Sequence, residues 1–189
     1  MKLSELVRIS WLSAFLGPLM FTILTAIAII NYPGYSPFNN FVSDLGVGGS
    51  SAAFFNSGLI FAGVCGMVLA VTAYEILTSH KKLIGILALF SAISLTGIGV
   101  FPENYGHIHL AIAVLFFGLA GISLLVLAYT FKNSTAFSRL SAIAALLVLA
   151  LGSIGLTDRP FFEHLAVAII MLWSITIGFI IRHITNNVS

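Results

Sequence analysis

Charge is what this 189-residue chain has least of: Asp, Glu, Lys and Arg together make up 7% of it, where a soluble domain carries about 25%. That scarcity excludes an ordinary water-facing globular surface. Cysteine is nearly absent as well. Cys65 stands alone, so no disulfide forms within the chain. A net charge of +2 leaves no basic surface for nucleic acid. No H-E-x-x-H or similar run is present, so a metal would need ligands from distant segments. What fills the sequence instead is apolar, at 59% of residues. Runs of about 20 apolar residues recur along nearly the whole length, each enough to cross a hydrocarbon core of roughly 30 Å. The segment Met1–Arg8 resembles the start of a signal peptide. The run behind it is too long and lacks a small-x-small cleavage site, so it is expected to remain as a helix.

The expected class is therefore all-α: a polytopic bundle of six transmembrane helices forming a single integral membrane domain over residues 1–189. The spans are expected at about 9–31, 53–78, 83–100, 106–131, 138–157 and 161–182. Connections are short except for the first. That loop, about 32–52, is rich in Gly, Pro, Ser and Asn and without helical period, the kind of long connection that usually carries function. Gly17, Gly63, Gly66, Gly97, Gly118, Gly121 and Gly152 fall where helices would approach closely, and Pro18 is expected to kink the first span. Six spans put both termini on one side, with Lys2, Arg8, Lys81, Lys82, Lys132, Arg139 and Arg182; the other side has only Arg159. The positive-inside rule then makes the termini cytoplasmic in a multi-pass cell-membrane protein. Asp44, Glu103, His107, His109, Asp158, Glu163 and His164 gather on the outer side.

Part of this outer group is written twice. Glu103-Asn-Tyr-Gly-His-Ile-His109-Leu-Ala-Ile-Ala113 is echoed by Asp158-Arg-Pro-Phe-Phe-Glu-His164-Leu-Ala-Val-Ala168, and at the same offset Gly97 falls on Gly152. Helical hairpins 3-4 and 5-6 thus read as a tandem repeat, which would bring His109 and His164 to corresponding places. His107, two residues from His109, would point to nearly the opposite side, and would pair with Glu103 if the helix began early. Three uses compete. His109, His164 and Asp44 would make a zinc site, with Glu163 and Asp44 as catalytic carboxylates acting through metal-activated water on a lipid ester or amide. His109 and His164 would alternatively be axial ligands of haem. The third use is plain: polar residues that cap helices, pair at the interface, or bind a lipid headgroup or small polar ligand. Ser43, Asn56, Glu103, His107, Asp158 and Arg159 are the candidate ligand-binding residues for that use. Membrane lipids are the expected partners. The chain's small size also suits an accessory subunit packed against other membrane subunits.

Tyr32-Pro-Gly-Tyr35, Asn40-Phe-Val-Ser-Asp-Leu-Gly46, Phe55-Asn56-Ser-Gly58 and Phe101-Pro102 with His107 or His109 resemble the uncharacterised family called domain of unknown function 998. The resemblance covers most of the chain and implies a small six-span fold, with no assigned chemistry to carry over. The Ser-Asp-x-Gly loop is also similar, more distantly, to that of DRAM-like and GPI-lipid-remodelling membrane proteins, which points toward lipids. Ser43 and Asp44 are placed either to cap a helix or to line the outer site.

Overall fold

The computed structural model describes residues 3–77, 79–155, 157 and 159–186. Six helices account for nearly all of it: α1 (Leu3–Ile30), α2 (Gly49–Ile76), α3 (Lys81–Val100), α4 (His107–Thr130), α5 (Thr135–Gly155) and α6 (Pro160–Asn186). Each is long and apolar enough to cross a membrane, and no strand occurs among the described residues. Two short 3-10 turns, Ser43–Gly46 and Glu103–Tyr105, lie in the connections at one end, here called the loop end.

Helix is the dictated choice because hydrocarbon offers backbone amides no other partner. Side-chain hydroxyls follow the same logic. Thr22, Thr72, Ser94 and Thr96 each donate to the carbonyl four residues back on their own helix. The surface is correspondingly apolar, with residues such as Leu172, 66% exposed, facing outward. The second helix starts at Gly49, ahead of the apolar run expected from about 53. Gly48 and Gly49, both at positive φ, turn the chain, and Ser51 donates back to Gly48 O.

Every helix packs on its neighbours in sequence, and α1 also packs on α6, so the six form a closed ring. Small residues let the ring tighten. A Cβ at Gly63 would collide with Thr96 and the backbone of α3. Pro18 gives the closing seam an unusual tie. It has no N–H for the carbonyl of Ala14, one turn earlier, and the Ser174 hydroxyl on α6 donates to that carbonyl at 3.3 Å. Nearby, the Arg182 guanidinium lies 4.9 Å over the Trp11 ring, again joining α6 to α1.

Candidate functional site: an acid cap over an apolar cavity

The connection after α1 folds over the loop end of the ring. Asp44 holds this loop to itself, its Oδ2 accepting from Phe41 N–H at 3.0 Å and Asn40 Nδ2 at 3.1 Å. The loop is tied to α6 through Glu163 and His164. Val42 N–H donates to Glu163 Oε2 at 2.9 Å, and the Tyr35 phenol meets His164 Nε2 at 2.6 Å. His164 Nδ1 donates to Pro160 O at 2.9 Å. The Tyr35 hydroxyl also donates to Phe41 O at 3.3 Å, so it stands between that carbonyl and the His164 ring. Burial, and then the charges of Glu163 and Asp44, raise the Tyr35 phenol above its ordinary pKa, so it remains a donor.

Three carboxyl groups converge beneath the loop. Glu103, in the turn between α3 and α4, hydrogen-bonds Asp44, and the Ser43 hydroxyl faces both Glu103 and Glu163. Burial, then that hydrogen bond and the Asp44 charge, push the Glu103 carboxyl up to about 7 against the partial relief from Ser43. Glu103 Oε2 is buried and has no partner among the described residues.

Below the acids lies a cavity of about 260 Å³. Ser43, Phe55, His109 and Glu163 line its loop end, Cys65 and Phe116 its middle, and Leu77, Phe131 and Ile181 its far end. It therefore runs much of the length of the ring. Its wall comes from all six helices, with Phe137 as the contribution of α5. His109, 8% exposed, donates Nδ1–H to Phe101 O at 2.9 Å. Trp173 also lines the cavity, about 15 Å further along α6 than Glu163 at the rise of an α-helix. It stacks on Phe137, and its indole N–H meets no acceptor among the described residues.

The residues expected from sequence are distributed as follows. Asp44, Ser43, Glu103 and Glu163 form the cap, and His109 the adjoining wall. Asn56 donates Nδ2 to Gly46 O at 3.1 Å, behind the cap, while its Oδ1 is buried without a partner. His107 is the first residue of α4 and exposed, as is Arg159 just before α6; Asp158 lies outside the described residues. Glu103 does not pair with His107, because α4 starts only at His107 and the preceding 3-10 turn swings Glu103 toward Asp44.

The expected zinc set is not assembled. Among the described residues no three His, Cys, Asp or Glu side chains are grouped as metal ligands. Asp44 is engaged by its own loop, and His164 is held at both nitrogens, by Tyr35 and Pro160. An axial haem pair meets the same obstacle, since His109 lines the cavity while His164 faces Tyr35. The two histidines of the sequence repeat thus have unlike surroundings. So do its glycines: Gly97 packs on Ile112 and Gly152 on Phe117.

Sequence reading pointed to an outer polar pocket but missed Tyr35 as a site residue, Trp173 as cavity wall, and the long apolar cavity beneath. Tyr35 had a usable signal, since it belongs to the Tyr-Pro-Gly-Tyr run of the long loop. The cavity had none, because an apolar residue lining a void and one packed against a neighbour look alike in sequence.

Six apolar helices in a ring define a multi-pass membrane protein of the small helical-bundle class. A family model described as protein of unknown function (DUF998) matches residues 15–180, and the chain belongs to that family. No curated protein and no solved structure matches it.

Proposed function

We propose that this protein binds a membrane lipid, with the headgroup at the acid cap and an apolar chain in the cavity below. The observation that carries this reading is the continuity of the two: Ser43, His109 and Glu163 belong at once to the polar cap and to the wall of a long, otherwise apolar cavity. Ligand sites are concave, mainly apolar, and oriented by a few polar groups, and this arrangement has that form. The loop end is read as facing outward, because it carries only Arg159 among the basic residues while the opposite end carries the rest. In this reading Glu163 and Asp44 hold a headgroup and the loop, without a bond being broken. The hydrolase and accessory-subunit readings lack a comparable observation.

The test is lipid retention. Protein purified in mild detergent is extracted and its lipid measured per chain by mass spectrometry, beside Ala113→Trp, which fills the cavity near His109. Leu146→Trp, on the exposed face of α5, is the control. Retained lipid is expected to fall several-fold in Ala113→Trp alone. Equal retention in all three folded proteins would remove the cavity from the account.

A further inference from the structure

The dimensions of the cavity bear on how many chains it takes. From Glu163 to Ile181, both in its wall, α6 rises by about 27 Å. The volume enclosed over that length is only about 260 Å³. A dry apolar cavity of about 150 Å³ accommodates one benzene ring, so less than twice that volume, drawn out so far, is one chain wide.

The sides are shut as well. At each of the six seams between neighbouring helices a glycine lies where an added Cβ would stand within 3.2 Å of the next helix. Gly63 meets Thr96 in this way, Gly121 meets Leu149 and Gly178 meets Ala14. Such close approach is how membrane helices pack, and here it surrounds a void. A two-chain lipid would fit only with its second chain outside, leaving through a seam, and these contacts close the seams at their levels. The loop covers the remaining end, placing Val42 and Ser43 in the wall. Below Glu163 and His109 no charged side chain lines the cavity among the described residues, so a polar end has its place beside Ser43, His109 and Glu163.

We infer that the occupant is a single-chain lipid: one aliphatic chain running down the ring from one small polar end held under the loop. This rests on the lipid-binding reading and adds the number of chains. The shared chemistry belongs to a free fatty acid and to a monoacyl lipid alike, and the two are separated by the test.

Trp173 reports entry directly, because it lines the cavity. In a Trp11→Phe background it is the single tryptophan, and bromine on a chain passing it quenches its fluorescence. Each probe carries one sixteen-carbon chain brominated near its middle: the free fatty acid, its glycerol monoester, and the glycerol diester with a second, plain chain. They are titrated by mole fraction into protein held in digitonin, whose steroid body brings no free chain to compete. The better of the two single-chain probes is expected to quench at about ten-fold lower mole fraction than the diester, and which of the two it is names the source of the chain. Phe116→Ala, which widens the middle of the cavity, should bring the diester closer, and Phe116→Leu should do so more weakly. If the diester quenches as readily as the single-chain probes with Phe116 intact, or if the gap survives both Phe116 substitutions, the single-chain assignment is wrong while lipid binding stands. If no probe quenches Trp173, the lipid-binding reading falls as well.

Discussion

The Ser43 hydroxyl stands between two glutamates, and the Tyr35 hydroxyl between a histidine and a carbonyl, so single residues set the chemistry of the cap. Glu103 is the member whose protonation is tied to folding. Its folded-state pKa lies above the ordinary 4.5, at about 7. The neutral form is therefore favoured by the fold. Its contribution is fully present below about pH 4.5 and is lost as the pH rises through 7. Thermal unfolding in detergent between pH 4.5 and 8 should show the wild type losing stability over that window. Glu103→Gln, always neutral, should show a flatter profile and the higher midpoint at pH 8. Tyr35→Phe removes the hydroxyl that meets His164 Nε2 and Phe41 O while keeping the ring against Tyr32. It should cost about 1 kcal/mol, the net worth of one hydrogen bond, read from the midpoint of denaturant unfolding. Glu163, Asp44 and His109 were legible in sequence as a polar group at one end, since few polar residues interrupt the apolar runs. Their partners were not legible. Whether Asp44 turns to a metal, a helix end or its own loop depends on the backbone of residues 36–46, which no periodicity describes.

Among the elements, the spans were the most legible part of the chain, because length and apolarity alone determine what crosses a bilayer. All six expected spans correspond to helices, with the largest shift at the start of α1, which begins at Leu3 rather than about residue 9, and another at the start of α2, where glycine and serine rather than apolar residues begin the helix. Pro18 was legible as a defect in α1, but its consequence was not. The carbonyl it frees on Ala14 is answered from α6 by Ser174, a residue far along the chain with nothing in its neighbourhood to announce the bond. Ser174→Ala should lower stability by about 0.6 kcal/mol, the typical value of an interhelical hydrogen bond in a membrane protein. In a Pro18→Ala background, where the helix supplies its own N–H to Ala14, the same substitution should cost less. A double-mutant cycle on unfolding free energies measures that coupling.

At the scale of the whole molecule, the ring and its orientation make separate predictions. With Cys65 replaced by alanine, single cysteines at Ser36 and Ser79 test which end faces out. A membrane-impermeant maleimide added to intact cells should label Ser36→Cys and leave Ser79→Cys unlabelled until the cells are opened. The reverse pattern would invert the proposed topology. The ring also has a consequence for how the protein is made. α1 and α6 share a wall, so until α6 docks the first five helices leave an open trough with Asp44 and Glu103 at one end. Only when α6 leaves the ribosome do Glu163, His164 and Ser174 arrive to join Val42, Tyr35 and Ala14. If the proposed lipid binding holds, an occupant would be walled in from the side as the last helix docks, without threading past the acid cap.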